Sequence, residues 1–383
     1  MKILMVYDSL SPIGGGSQTA MLAWVENLKK LGIEVKILCN KNAFPFLSHI
    51  SKENIITLNN VDLHWIFPHY YPTIRLSQKI KKEILAFGPD VIHVHEPGIL
   101  VGRVLQFAKK QQIPTLINFQ TDLAKQTVSQ FPLSVIAGQK GLMQKWLVRN
   151  QNTQLRKADF MTVPTQTYKK MVEQTFSTTP FLLPLPIKKY FYTKSAFPIE
   201  KIPHNLLAVA RLSGGKHIDT LLSMMQHLTK EFSLTIIGDG PDKAYLSNLA
   251  KKYFVEERVN FLGWVSQQSL PNHFQKADLF LSPSDSETFG ITYIDALASR
   301  VPVVVYDYPV SREVIPEGMG VFVKSFDPKV WAGEVLQLQN NPKVYEALQK
   351  NIAKEYDKLR KYEETESTKK LIEVYKNLLR KSN

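Results

Sequence analysis

The residue types best suited to chemistry are concentrated between positions 283 and 304. Pro283-Ser284-Asp285-Ser286-Glu287-Thr288-Phe289-Gly290 leads into a helical stretch bearing Asp295-Ala296-Leu297-Ala298, and then into Val301-Pro302-Val303-Val304. A helix N-terminus near Phe289 and Gly290 offers unsatisfied N–H groups to an anion. Glu287, in the loop just before it, can accept hydrogen bonds from hydroxyls. A carboxylate balancing the helix dipole is the plainer alternative for Glu287. A second group is Ala208-Val209-Ala210-Arg211-Leu212-Ser213-Gly214-Gly215-Lys216. Arg211 and Lys216 follow a strand and are separated by small residues. Two cations there can neutralise a diphosphate leaving group, although cations in such loops are also commonly just solvated.

A third group is Pro12-Ile13-Gly14-Gly15-Gly16, between an apolar run and a helix. Gly14-x-Gly16-x-x-Thr19 nearly fits a dinucleotide fingerprint, but Thr19 replaces the third glycine. The next strand ends Cys39-Asn40-Lys41, without a carboxylate for a ribose diol. That argues against a nicotinamide enzyme. Backbone N–H groups in such a turn still reach a phosphate, and a tight turn without ligand is the alternative. His93 and His95 share one face of a strand beside Glu96. With no third partner this is a weak metal set, and lining or core roles are expected. Asp239 fits a Gly-Asp-Gly turn, and Cys39 is expected to pack.

These residues need a scaffold, and the apolar periodicity supplies one. Lys2–Tyr7, Glu34–Cys39, Val91–Val94, Thr115–Asn118 and Phe160–Val163 read as buried strands. Helices start near Ser17 and Ile99, at about Leu142 and after Thr165. Five prolines between 180 and 203 interrupt the pattern. Alternation resumes with strands at Asn205–Val209, Ser233–Ile237, Val259–Leu262, Leu279–Leu281 and Pro302–Val305, and a charged helical tail begins near Pro342. The expectation is two doubly wound α/β halves, with ligands beyond the strands' C-terminal ends and the cleft between the halves as the active site.

Composition narrows the classes further. The chain has 383 residues, 44% hydrophobic and 21% charged, which excludes a disordered chain. A single cysteine excludes a disulfide framework and Cys-based zinc. No run approaches the ~18 apolar residues of a membrane span. Met1–Tyr7, ended by Asp8, is too short for a signal peptide, so a cytoplasmic location is expected. The net charge of +14 is uneven, because residues 1–190 hold 23 Lys/Arg against 11 Asp/Glu. A basic first half implies an anionic counterpart or a solubility charge. Nucleic acid is not expected, since no helix-turn-helix, RNP or zinc pattern is present.

Six segments in order resemble the GT-B fold retaining glycosyltransferases of family 4, a group that includes phosphatidylinositol mannosyltransferases and glucosyl-diacylglycerol synthases. They are PIGGGSQ near the start, DVIHVHEP at 90–97, LLAVARLSGGK at 206–216, IIGDGP at 236–241, VNFLGWV at 259–265 and PSDSETFGITYIDALASRVPVV at 283–304. The resemblance implies that Gly15 and Gly16 meet the donor phosphate and that Arg211 and Lys216 hold the diphosphate. It places backbone contacts to the nucleobase at Gly263 and Val265, and N–H contacts to the diphosphate at Phe289 and Gly290. Glu287 matches the carboxylate that holds the donor sugar, and Asp295 the one that binds ribose. Three departures stand out. Asp295 replaces a glutamate, shortening its reach by about 1.5 Å. Gln120, in Asn118-Phe119-Gln120-Thr121-Asp122, replaces a histidine near the reacting sugar and cannot take a proton at neutral pH. Pro184-Leu185-Pro186 replaces a Pro-Asn-Gly turn and carries no functional reading.

Two segments of the first half have the composition of a membrane surface. One is Trp65, Phe67 and Tyr70, followed by a helix with Arg75, Lys79, Lys81 and Lys82. The other is the 142–157 stretch with Lys145, Trp146 and Arg149. A core-packed helix with a solvated basic face is the alternative. The expected organisation is an acceptor domain at 1–185, a proline-rich linker at 186–204, a donor domain at 205–360 and a terminal helix at 361–383 that packs back on the first domain. The expected activity is metal-independent, retaining transfer of a hexose or mannose from a nucleotide-diphospho-sugar, without further cofactor. The acceptor is a membrane lipid or glycolipid, or else a polysaccharide or soluble sugar. The chain is then peripheral on the inner face of the cell membrane, on an anionic surface. A catalytically dead sugar-nucleotide-binding scaffold is the rival from another class.

Overall fold

A computed structural model describes residues 1–7, 15–40, 47, 50–58, 76–95, 99–120, 145, 149, 152–192 and 202–382. The chain forms two compact units, Met1–Pro186 with Glu364–Asn383, and Ile187–Glu363.

The first unit holds a seven-stranded parallel sheet of β1 (Lys2–Tyr7), β2 (Glu34–Asn40), β3 (Ile55–Leu58), β4 (Val91–His95), β5 (Thr115–Asn118), β6 (Phe160–Val163) and β7 (Phe181–Leu182). Its order is β3-β2-β1-β4-β5-β6-β7. β1 is apolar throughout because it is central and covered on both faces, and Ile3 to Val6 are fully buried. Its first helix, Gly16–Lys30, buries Ala20, Trp24 and Leu28. Gly32, at φ +76°, ends it. The later helix Gln166–Phe176 starts where Thr165 caps the Tyr168 amide.

The helix Glu364–Ser382 belongs to this first unit, as expected of the terminal helix. Leu371, Tyr375 and Leu378 are fully buried. The Trp24 indole donates to Ser367 Oγ at 2.9 Å, and Ser367 in turn donates to the Pro184 carbonyl at 2.7 Å. Asn27 donates to Glu364 at 2.8 Å.

The second unit holds a six-stranded parallel sheet of β8 (Asn205–Val209), β9 (Ser233–Ile237), β10 (Val259–Gly263), β11 (Leu279–Ser282), β12 (Val303–Tyr306) and β13 (Gly320–Val323). Its order is β10-β9-β8-β11-β12-β13. Strand order therefore reverses between β8 and β11, which pair through Leu206–Leu279 and Leu207–Phe280. Loops that leave neighbouring strands at such a reversal diverge above the sheet and leave a crevice. Trp331, Phe232 and Phe274 anchor the core of this unit. The described part of the proline-rich stretch, Ile187–Tyr192, packs into it. Ile187 donates its amide to the Tyr362 carbonyl at 2.7 Å, and Phe191 is buried with its ring edge-on to Phe274 at 5.9 Å.

β3, β7 and β13 carry no clear signal in the sequence. β3 and β13 are edge strands, and β7 has only two residues, Phe181 and Leu182. Edges are buried on fewer sides, so their apolar runs are short. The helix Ile218–Met224 also ends earlier than its apolar spacing suggests, giving way to a 3₁₀ turn at Met225–His227.

Candidate active site

The loops after β8 and β11 bring two of the sequence-derived groups together. Beyond β8 the chain makes a 3₁₀ turn at Gly214–Lys216, and His217 takes a left-handed conformation, φ +50°. Beyond β11, residues 283–289 lead to Gly290, which caps the helix Ile291–Ala298 at φ +73°. Only glycine fits there, because a Cβ would lie 2.4 Å from the Tyr293 ring.

Across these loops Lys216 Nζ donates to Glu287 Oε1 at 2.5 Å, with side chains 18% and 19% exposed. Lys216 Nζ also donates to Ser284 Oγ at 3.4 Å. The Gly215 carbonyl accepts from two hydroxyls, Ser284 at 3.3 Å and Ser286 at 3.1 Å. His217 Nε2 lies 3.4 Å from Asp285 Oδ1. Five contacts through side chains thus fasten one loop to the other. Burial pushes the Glu287 carboxyl upward. The Lys216 ammonium outweighs it, helped by hydrogen bonds from Lys216 and Ser284, and holds the group below the usual carboxylate range. Glu287 is therefore an anion, able to accept hydrogen bonds from hydroxyls.

The second unit also carries the other residues that the sequence singles out. Arg211 is half-buried just after β8. Phe289 is buried and meets the Tyr362 ring edge-on at 5.4 Å, so at that position only the main chain is offered outward. The first turn of the Ile291–Ala298 helix contains no acidic residue, which leaves its N-terminal field uncompensated by side chains of its own turn. Asp295 is 2% exposed. Burial pushes its carboxyl well above the usual range, and its Oδ1 has no hydrogen-bond partner among the described residues. Gly263 ends β10 at φ +71° with its carbonyl bonded to the Gly238 amide at 2.8 Å, and Val265 is half-buried. Lys243 pairs with Asp239 at 2.8 Å beside Gly263. The turn role of Asp239 is also visible, because its Oδ1 accepts from the Gly240 amide at 2.8 Å.

In the first unit Gly15 caps the Gly16–Lys30 helix with extended backbone, and both glycines are exposed. A Cβ at Gly15 would meet nothing within 4 Å. Packing among the described residues therefore does not demand glycine there, and glycine is an ordinary residue at a helix N-cap. Gln120 is buried at the end of the segment following β5. His93 and His95 are core residues. Their rings lie 4.2 Å apart, His93 Nδ1 is 2.6 Å from the Tyr375 hydroxyl, and His95 Nε2 is 3.2 Å from Met5 sulfur. Glu96 lies outside the described residues. Cys39 is buried, and burial pushes its thiol up to about 12.

Trp65, Phe67, Tyr70, Arg75 and Trp146 also lie outside the described residues. Lys79 and Lys82 are exposed, and Lys81 half-exposed, on the helix Gln78–Phe87, whose other face buries Ile80, Ile84 and Phe87. Lys145 and Arg149 are exposed helical positions. Among the described residues no helix is long and apolar enough to cross a membrane. Sequence reasoning passed over Ser284, Ser286, His217 and Lys243. Small polar residues in a loop give no signal until the partner loop is in place.

Two parallel Rossmann-like sheets, of seven and six strands, define the fold class of the GT-B glycosyltransferases. Two family models match adjoining parts of the chain: "Glycosyltransferase Family 4" over residues 14–181 and "Glycosyl transferases group 1" over residues 194–355. The chain belongs to this family and is a glycosyltransferase. It is 25% identical over 373 residues to the alpha-monoglucosyldiacylglycerol synthase of Acholeplasma laidlawii, covering 92% of this chain and 91% of that one. It is 28% identical over 262 residues to the sulfoquinovosyl transferase SQD2 of Arabidopsis thaliana, covering 64% and 48%. Among solved structures, the sucrose-phosphate synthase of Thermosynechococcus elongatus superposes with a TM-score of 0.77 over 100% of both chains at 18% identity. HepE of Anabaena in complex with UDP-glucose gives 0.75 over 98% of this chain and 100% of that one at 16% identity.

Proposed function

We propose that this glycosyltransferase moves a hexose or mannose from a UDP- or GDP-sugar to a hydroxyl of a membrane lipid or glycolipid, with retention of anomeric configuration. The observation that carries the donor side is the Lys216–Glu287 pair at the β8–β11 reversal. A lysine and an anionic carboxylate share one spot there, the lysine on the loop that also carries Arg211 and the carboxylate just before a helix whose first turn has no acidic residue. That is the polarity a sugar diphosphate presents, with hydroxyl donors at one end and phosphate oxygens at the other. Arg211, Lys216 and the N–H groups at Phe289 and Gly290 stabilise the charge that builds on the leaving diphosphate. Glu287 holds the sugar hydroxyls, Gly263 and Val265 present backbone to the base, and Asp295 serves the ribose. In the first unit, Gly15 and Gly16 serve a phosphate and Gln120 a sugar hydroxyl.

The acceptor oxygen attacks the anomeric carbon on the face from which the diphosphate departs. The C1–O bond to phosphate breaks, the new C1–O bond forms, and a leaving phosphate oxygen takes the acceptor's proton. Glutamine at 120 is compatible with this route, because the route asks no proton transfer of a side chain. Protein cations do the charge neutralisation, so no metal is required. The lipid acceptor is supported by the full-length likeness to a glucolipid synthase and by the exposed lysines of the Gln78–Phe87 helix. They suit peripheral attachment to an anionic inner leaflet.

The test is transfer of label from UDP-glucose, UDP-galactose, UDP-GlcNAc or GDP-mannose into anionic vesicles or into soluble sugars, beside Glu287→Ala. Label entering the lipid phase and lost in the variant is the expected result. Label entering only soluble sugar overturns the lipid acceptor. Full activity in Glu287→Ala overturns the site. Nucleotide binding without any transfer leaves a scaffold.

A further inference from the structure

The hydroxyls of Ser284 and Ser286 are part of neither the family's assigned roles nor the reading above. Ser284 is 1% exposed, yet its side chain lies among three functional groups: the Lys216 ammonium, the Gly215 carbonyl and the Glu287 carboxylate. A hydroxyl has one proton and two lone pairs. It can accept from Lys216 while its proton goes to either Gly215 or Glu287. Whichever it chooses, Ser286 still holds the Gly215 carbonyl at 3.1 Å. The turn that carries Lys216 therefore stays fastened while Ser284 adjusts.

A lysine needs such help. Its ammonium is a point charge on a flexible four-carbon stem. Two of its three donors are engaged here, by Glu287 at 2.5 Å and Ser284 at 3.4 Å. Those two contacts fix the direction of the third. We propose that Ser284 is a positioning residue for transfer. It aims the Lys216 ammonium and keeps the lysine from collapsing wholly onto Glu287, so that the free N–H meets the departing diphosphate while the carboxylate remains open to the sugar. This inference rests on the reading of Lys216 as a contact to the donor's diphosphate.

The experiment compares Ser284→Ala, Ser284→Thr, Lys216→Ala and the Ser284→Ala/Lys216→Ala double variant. Turnover is measured with UDP-glucose and with GDP-mannose on anionic vesicles, affinity for UDP and GDP by calorimetry, and folding by melting temperature. Ser284→Ala is expected to lower kcat by about tenfold or more, with donor KM moving less than about threefold, because the aim of the charge matters most as charge develops. Ser284→Thr keeps the hydroxyl and is expected to recover most of the rate at an unchanged melting temperature. In the Lys216→Ala background, removing the hydroxyl is expected to change nucleotide affinity no further, since the two act as one unit. Wild-type kcat in Ser284→Ala, a loss that threonine does not repair, or an equal further loss in the double variant overturns the inference. Full transfer by Lys216→Ala overturns the functional reading beneath it instead, and the two failures are separately visible.

Discussion

At Gly290, conformation and space both exclude a side chain, since φ is +73° and a Cβ would strike the Tyr293 ring. Gly290→Ala is expected to displace the start of the Ile291–Ala298 helix and to cost both activity and stability. Melting and turnover measured together check this. Arg211→Ala removes one charge facing the proposed leaving group and is expected to lower kcat by about a hundredfold without lowering the melting temperature. A loss confined to KM would instead mark Arg211 as a contact equal in ground and transition states. The lysine, the arginine and the carboxylate stand out in the sequence because they are chemically loud. Ser284 does not, because its meaning lies in a carbonyl 69 residues away. Asp295 carries the opposite lesson. Its spacing from Glu287 is visible in the sequence, but its burial and the raised carboxyl that follows are properties of the packed helix.

The central strands read directly from their apolar runs, because a strand covered on both faces must be apolar throughout. β3, β7 and β13 do not, being peripheral or too short to show a period. The Glu364–Ser382 helix is a stronger case. Its pattern is that of any charged amphipathic helix, yet Ser367 and Tyr375 complete the polar interior of the first unit through Trp24 and His93. Trp24→Ala combines a large cavity with loss of that hydrogen bond and is expected to cost about 3–5 kcal/mol, read from denaturant unfolding. The same interior predicts an acid limit. His93 is held neutral by burial, its imidazole pushed down to about 3, and His95 is pushed well below its ordinary value. A histidine with a lowered folded value is protonated first in the unfolded chain. For His93 the stability it contributes is complete above about pH 6.5 and falls as pH drops toward 3, by about 1.4 kcal/mol per pH unit, and His95 adds a loss of the same sign. Thermal unfolding between pH 7 and pH 4 should show this slope, and it should lessen in His93→Gln.

For the molecule as a whole, charge asymmetry is the feature that sequence and structure share. The excess of cations in residues 1–190 includes Lys79, Lys82, Lys145 and Arg149, all exposed. Vesicle pelleting should therefore depend on anionic lipid and weaken as salt rises from 50 to 500 mM, as exposed charges become screened. Binding that ignores both lipid charge and salt would remove the electrostatic attachment. The two-unit division brings a further consequence, through the helix that returns to the first unit after the second is complete. On the ribosome, the segment that forms the first sheet emerges first, yet its interior lacks Ser367 and Tyr375 until roughly 180 further residues have been made. At about 5–20 residues per second that is a wait of roughly ten to forty seconds. The second unit is a single continuous segment, and nothing delays it in the same way. The part of the protein begun first is thus finished last, and a chain stalled before Glu364 would leave Trp24 and His93 uncovered, a ready target for a chaperone.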